Sequence, residues 1–455
     1  MRPEAKAWGG PDVERWLDTH PDIETVVLAT PDVNGVLRAK ALPRAQAGKL
    51  DTGRAAVPLS MPSVDFIGEE IPECREVIET GDPDIFATRV ARDPVVSAAR
   101  PDTAIVLVDM FWDDGRPVET SCRHVLHRVI DAYAEAGLCP VAALEVEFYL
   151  YDPASEGLRL LRHPVTGRRM SGRDPCHLDE FKAFGAFFSD VGHACAASGI
   201  DVTGLGSENG TAMFEINIAH GPDVMKAADD LTLLRLIVRS VARRHGFGAT
   251  FMPKPFPELD GAGLHLHFSV LDETGRNIFD DGTPYGTEAL RSAVAGVLER
   301  SVEMQLIMAP HFSSYRRLKA NAYAPTLLAW GYDNRFLPVR IPGGPDGDRR
   351  IEHRVGGADA NPYLLSAFVL RAALDGIRAG STAPGPVTGA PFELDLVRVP
   401  VQMADALQRF EASDWVKKVV PPLFFEAYTN AKQQELDRIM SHVSQFEIDM
   451  FRDRI

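Results

Sequence analysis

A chain of 455 residues is longer than one ordinary hydrophobic core, so two or three domains are expected. Its make-up, 45% hydrophobic and 25% charged, is that of a globular enzyme, and a formal net charge of -16 argues against nucleic acid or an anionic membrane as partner. Cys74, Cys122, Cys139, Cys176 and Cys195 are odd in number and form no C-x-x-C pair, which speaks against a disulfide framework and a structural zinc site. Met1 to Gly10 hold no apolar stretch of signal-peptide type, and no apolar run reaches the roughly 20 residues of a membrane helix, so a cytoplasmic protein is expected.

Along the chain, Glu24 to Thr30 is strand-like, and Asn34-Gly35 marks a hairpin before Val36-Leu37. Ala104 to Val108 reads as another short strand. This first block, residues 1–115, is expected to be a small β-rich domain, with residues 116–455 as the catalytic part. There the pattern changes. Thr120 is placed to cap a helix running to about Ala136, with Val125, Leu126, Val129, Ile130 and Tyr133 at helical spacing and Gly137 as its stop. A strand over Val141–Tyr151 follows. Further helices are expected at Leu178–Ser198, Ala227–His245, Thr287–Met308, Asn361–Ile377 and Phe424–Met450. Strands are expected at Phe214–Ile218, Leu264–Val270, Val339–Ile341 and Arg350–Val355, and a loop at Ala379–Ala390.

Four of these strands share one oddity. Alternate residues of a strand point to the same side. Glu145 and Glu147 therefore oppose Val146 and Phe148, and Glu215 opposes Phe214 and Ile216. His265, His267 and Ser269 share a face, as do Glu352 and Arg354. Any one such strand is more often a solvated sheet face. Carboxylates and imidazoles dominate here, however, and Glu208 lies seven residues before Glu215. Glutamates turned toward one cavity repel unless cations hold them. Hard oxygen ligands with one imidazole suit Mg²⁺ or Mn²⁺, and the spacing suggests a multi-metal site that polarises phosphates. The H-x-H pair alone would also fit a metal-dependent amidohydrolase, but the glutamates around it do not. Downstream arginines, Arg335 and Arg354 above all, are suited to phosphate and carboxylate oxygens.

The motifs, in order, resemble those of the glutamine synthetase family. They are E-x-E-F from Glu145, E-N-G-x-x-x-F-E from Glu208, T-F-M-P-K-P from Thr250, G-A-G-L-H-L-H-F-S from Gly261, S-Y-R-R-L from Ser314, D-N-R from Asp333, R-R-I-E-H-R from Arg349 and N-P-Y-L from Asn361. The likeness runs from the Asp32-x-Asn34-Gly35 turn to the C-terminal helix. Trp330-Gly331 before Asp333-Asn334-Arg335 is similar to the branch that makes γ-glutamyl amides of polyamines and other amines. The resemblance implies an α+β fold, with a β-grasp-like N-terminal domain and a catalytic domain built on a curved antiparallel sheet. It further implies a homo-oligomeric ring, a hexamer or dodecamer, with active sites between subunits and Asp32–Lys40 near a neighbour's site. Glu147, Glu208 and Glu215 resemble the ligands of one metal, and Glu145, His265 and Glu352 those of a second. Arg317 resembles the clamp on the glutamate α-carboxylate, with Gly261 and Asp260 beside it. Arg335 and Arg354 resemble the groups around the transferring phosphate. His267, Ser269, Arg340 and Arg350 resemble ATP contacts.

The departures bear on the nucleophile. Ammonia-using members carry a glutamate where this chain has Tyr323, and an N-terminal D-G-S-S where it has Val57-Pro58-Leu59-Ser60. The asparagine usual before the glutamate-binding glycine is Asp260, and a lysine upstream of R-R-I-E is replaced in Gly347-Asp348. No adenylylation-type tyrosine follows Ile377. The expectation is an ATP-dependent glutamate–amine ligase with Mg²⁺ or Mn²⁺, acting on a primary amine or polyamine, with Tyr323 as an aromatic face for it. Against it stand a glutamine synthetase that uses ammonia, with Asp65 as the acid at the ammonium site, and a catalytically silent ring-forming relative.

Overall fold

The computed structural model describes residues 12–172, 175–318, 324–344 and 347–454. In chain order its strands are β1 (Thr25–Pro31), β2 (Leu37–Pro43), β3 (Ala55–Pro58), β4 (Asp84–Arg89), β5 (Val95–Val96), β6 (Thr103–Phe111), β7 (Leu138–Tyr151), β8 (Val202–Ser207), β9 (Met213–Ile218), β10 (Gly248–Thr250), β11 (Leu264–Asp272), β12 (Trp330–Tyr332), β13 (Val339–Ile341) and β14 (Ile351–His353). They make two sheets within a mixed α+β architecture. The first runs β2-β1-β6-β4-β3, with β5 also on β6, and is antiparallel except between β1 and β6. The second runs β12-β13-β14-β11-β7-β9-β8, with β10 also on β7, and is antiparallel except between β12 and β13.

The β1–β2 hairpin forms where the sequence places it. Asp32 Oδ1 accepts the backbone N–H of Asn34 (2.8 Å) and of Val36 (2.9 Å), and Gly35 takes φ +80°, which glycine adopts without a Cβ clash. One face of this sheet builds its own core from Val26, Leu28, Val57, Ile85, Val106 and Val108. The other face, through Ala29, Ile105 and Leu107, joins the main core, so β6 is buried along its whole length. In that main core the apolar side of the second sheet (Leu144, Val146, Phe148, Leu264, Leu266, Phe268) meets helices Cys122–Ala134, Val224–Arg244 and Pro362–Ala379. The opposite side of the same strands is left to the polar residues.

A buried ion cluster ties the first sheet to these helices. Arg123 donates to Asp109 of β6 at 2.6 Å and also to Asp229, which accepts the Tyr363 hydroxyl at 2.7 Å. Burial works against the charge on Asp109, but Arg123 and His127 hold its carboxyl well below the usual range.

Several elements differ from expectation in their ends. Ser121, not Thr120, occupies the N-cap of helix Cys122–Ala134, and Thr120 is buried with its hydroxyl unpartnered. The span Leu178–Ser198 breaks at Phe184, whose ring packs edge-on against Phe214 at 5.0 Å, giving helices Leu178–Ala183 and Gly185–Ala197. Thr287–Met308 is likewise two helices, Glu288–Arg300 and Gln305–Met308. At the C-terminus, Pro422–Ser441 stops before Ser444, which caps a new helix, Gln445–Phe451, reciprocally with Glu447. The helix Pro422–Ser441 docks on its own chain. Lys432 Nζ donates to Asn34 Oδ1 (2.7 Å) and Arg438 to Asp65 (2.9 Å). The five cysteines form no disulfide, and no helix among the described residues is long and apolar enough to cross a membrane.

Candidate active site

Strand register assembles the polar face. Across β7 and β9, Glu147 stands opposite Glu215. Across β7 and β11, Glu145 stands opposite His265. Across β11, β14 and β13, His267, Glu352 and Arg340 form one row. Directly opposed residues on one face of a sheet lie within contact distance. Glu208 sits just past β8, where its N–H bonds to the Met213 carbonyl at 2.8 Å, and is thereby turned toward Glu215.

Three groups of possible ligand atoms result, each within 4.8 Å of one another: Glu147, Glu208 and Glu215; Glu145, Glu215 and His265; and Glu145, His267 and Glu352. The first is the trio that the sequence motifs imply. The second implied trio, Glu145, His265 and Glu352, is brought together pairwise: His265 Nδ1 lies 2.6 Å from Glu145 Oε1 and 3.9 Å from Glu352 Oε1. His267, expected at the nucleotide, also reaches Glu145 at 3.4 Å.

The electrostatics of the two ends differ. Burial, with neighbouring carboxylates, pushes Glu215 up to about 10 and Glu208 up to about 7. Burial also opposes the charge on Glu145 and Glu352. Hydrogen bonds from His265 and His267 nevertheless hold Glu145 low, and Arg354 with the histidines and Arg340 holds Glu352 at about 2. Glu352 accepts from Arg340 at 2.7 Å and from Arg354. Glutamates forced to share protons in this way suit a divalent cation, and a mainly oxygen donor set with one or two imidazoles fits Mg²⁺ or Mn²⁺.

Arg317 follows the 3₁₀ turn Phe312–Arg316 and is buried, bonded to the Val355 carbonyl at 2.8 Å with Nε unpartnered. It closes on Gly263, where a Cβ would meet the Arg317 guanidinium at 2.7 Å, His265 at 3.0 Å and Glu147 at 3.4 Å, so any larger residue there would displace Arg317. The Gly263 N–H donates to Glu147 at 2.5 Å. Gly261 packs as tightly on the Arg317 stem. Asp260 beside it accepts from Asn209 Nδ2 at 2.5 Å, and its carbonyl accepts the Tyr149 hydroxyl at 2.7 Å.

His267, Ser269 and Arg350 line a cavity of about 660 Å³ together with Glu145 and Asn217. Arg340, the fourth residue expected at the nucleotide, stands in the same row as His267 and pairs with Glu352 and Asp333. Arg335 is exposed on the turn after β12, while its neighbour Asn334 anchors the loop that follows helix Pro362–Ala379 by donating to the carbonyls of Val387 and Gly389. Tyr323 lies outside the described residues. Asp65 is buried and engaged on its own chain by Ile67, Glu69, Gln434 and Arg438. The motifs did not single out Asn217, which donates to Glu215 at 3.1 Å, or Tyr149; each lies two residues after a singled-out glutamate, Glu215 on β9 and Glu147 on β7, and that alternation was the available signal.

A mixed α+β fold thus presents, on one sheet face, clustered glutamates and histidines that could hold a metal ion, with arginines beside them. The family profile of the glutamine synthetase catalytic domain matches residues 119–451, and the chain belongs to the glutamine synthetase family. It is 31% identical over 442 residues to the gamma-glutamylputrescine synthetase PuuA of Escherichia coli (strain K12), covering 96% of this chain and 93% of that one. It is 27% identical over 461 residues to a glutamate–isopropylamine ligase of a Pseudomonas species, covering 97% and 98%. A solved structure of apo GmaS superposes with a TM-score of 0.83 at 24% identity, over 96% of this chain and 98% of the other, which establishes the shared fold.

Proposed function

We propose that this chain is an ATP-dependent ligase joining the γ-carboxylate of glutamate to a primary amine or polyamine. The observation that carries the reading is the convergence of Glu147, Glu208 and Glu215 beside Glu145, His265, His267 and Glu352, with Arg317 and Arg354 at its edge. The full-length likeness to two amine ligases supports the choice of nucleophile.

In this reading Glu147, Glu208 and Glu215 hold one divalent cation, and Glu145, His265 and Glu352 hold a second. Mg²⁺ or Mn²⁺ there supplies charge neutralisation for the phosphate oxygens of ATP. Arg317, with Gly261 and Asp260, orients glutamate. His267, Ser269, Arg340 and Arg350 position ATP. A γ-carboxylate oxygen attacks the terminal phosphorus and ADP leaves. Arg335 and Arg354 offset charge on the transferring phosphoryl group. The amine nitrogen then attacks the acyl carbon, phosphate departs, and the nitrogen loses a proton. Residues 1–115 form a β-grasp-like domain and 116–455 the catalytic domain of a cytoplasmic, ring-shaped homo-oligomer.

Tyr323 favours a carbon-bearing amine over ammonia. An aromatic face attracts an alkylammonium by roughly 0.5–2 kcal/mol, and each buried CH₂ adds about 0.8 kcal/mol. The test is kcat/KM of glutamate-dependent ADP release for ammonia, methylamine, ethanolamine, putrescine and an aromatic amine at equal free-base concentration. A primary amine is expected to lead; ammonia as the best substrate overturns the choice of nucleophile.

A further inference from the structure

A cavity of about 740 Å³ lies between the β1–β2 turn, helix Val224–Arg244, the turn Phe312–Arg316 and helix Pro422–Ser441, and none of the clustered glutamates of the carboxylate face lines it. Small-molecule sites occupy roughly 300–1,000 Å³. The walls are mainly apolar, formed by Phe66, Leu236, Phe251, Met252, Pro253 and Phe312. Phe66 keeps 47% of its surface exposed.

Three arginines share these walls: Arg235, Arg239 and Arg316. Arg235 and Arg239 lie over the Phe251 ring at 5.6 and 5.9 Å, and Arg316 over Phe312 at 5.7 Å. Among the described residues none of the three is in an ion pair. Arg235 is only 8% exposed. Its NH2 group donates to the carbonyls of Ala358 (2.7 Å) and Ala360 (2.9 Å), while its Nε has no acceptor. A buried N–H left without an acceptor is costly, and a guanidinium fork matches a carboxylate. Of the acids here, Asp65 is taken by Arg438 and Gln434, and Glu435 by His311. Asp359 accepts from Ser314 at 2.6 Å and keeps one oxygen unpartnered. Arg235 and Asp359 act on each other electrostatically, while Arg239 and Arg316 meet no carboxylate partner here among the described residues, so the excess of positive charge favours an anion and the walls favour an apolar body behind its charge.

We propose that this cavity is a binding site, separate from the catalytic face, for a small organic carboxylate with an aromatic-sized apolar body. The carboxylate lies on Arg235, Arg239 and Arg316, and the body lies against Phe66, Phe251 and Phe312. The site adjoins the catalytic face without sharing its ligands. The Pro253 carbonyl accepts the Ala262 N–H at 2.9 Å, and Arg316 precedes Arg317 in the chain.

The probe is 4-phenylbutyrate, titrated calorimetrically into the full-length protein beside its neutral amide, 4-phenylbutyramide. The carboxylate is expected to bind saturably at one site per chain and the amide at least about tenfold more weakly. Arg239 and Arg316 are both exposed, so the double variant Arg239→Gln, Arg316→Gln should fold and should lose about tenfold in affinity. Excess glutamate should leave binding unchanged. No saturable binding at millimolar concentration, equal binding of acid and amide, affinity untouched by the double variant, or displacement by glutamate would each overturn the proposal.

Discussion

Under the first sheet, Asp109, Asp229 and Asp230 are matched by Arg123, Arg92 and Lys226, and the Tyr363 hydroxyl takes up a remaining lone pair. On the face of the second sheet, Glu147, Glu208 and Glu215 gather within 4.8 Å with no lysine or arginine in an ion pair with them among the described residues. Both clusters bury charge. The first is closed: each carboxylate is met by a cation within the chain, so it holds elements together. The second is open: its oxygens compete for protons, which is destabilising for the fold alone and suitable for binding a cation from outside. Buried carboxylates that the chain leaves without a cation are therefore the stronger mark of a site than buried charges it matches.

The sharpest way to break this comparison is to remove one member of each cluster. Glu208→Ala should abolish turnover, by about a thousandfold or more if cation-mediated stabilisation of several kcal/mol is lost. The metal-free variant should melt no lower than the parent, because an unmatched acid has gone. Near-normal ADP release would end the assignment of Glu208 as a ligand. Arg123→Met should do the reverse in kind. It leaves Asp109 and Asp229 buried without their partner, at a cost of about 3–5 kcal/mol, read as a large fall in melting temperature. A variant that melts like the parent would show that the closed cluster is not what holds β6 to the helices.

Acid–base behaviour separates the clusters next. A free glutamate ionises near 4.5, whereas Glu208 and Glu215 are pushed to about 7 and about 10 in the folded chain. The folded state then keeps protons that the unfolded state has released. Stability of the metal-free protein is full below 4.5 and falls as pH rises toward 7 and beyond, by up to about 1.4 kcal/mol per pH unit for each proton retained. After chelator treatment the melting temperature should drop between pH 5.5 and 8. Added Mn²⁺ should raise it, and by more at the higher pH. Glu215→Gln should flatten the metal-free profile. A profile that rises over that range would mean the open cluster is already matched.

The open cluster was the more legible of the two in the sequence. Period-two alternation places Glu145 with Glu147 and His265 with His267 on one face whatever the partners, so the ligand types could be read strand by strand. Register could not: that Glu147 faces Glu215, and that His267 stands in line with Glu352, depends on which strands pair. The closed cluster left no comparable trace. Asp109, Arg123 and Asp229 lie on a strand and two helices far apart in sequence, and each reads alone as an ordinary surface charge. The breaks at Phe184 and before Ser444 were missed because helical periodicity continues across them, and only an aromatic contact and a capping pair stop the helix.

The smallest expected effect sets the floor for all of these. Arg409 and Asp405 form an i,i+4 pair at 2.8 Å on helix Met403–Ala412, with side chains 52% and 44% exposed. Its geometry resembles that of the Arg123 contacts, so a reading based on contact distance alone would value it alike. Its surroundings differ. Water solvates both partners before and after folding, salt screens their attraction, and two long side chains lose freedom in meeting. Such helix pairs contribute about 0.3–0.5 kcal/mol. Arg409→Gln should therefore shift the melting temperature by far less than Arg123→Met, and the shift should shrink further as salt is raised. Two losses of equal size would mean that pairing distance, not burial, governs charge in this fold, and the contrast between closed and open clusters would lose its basis.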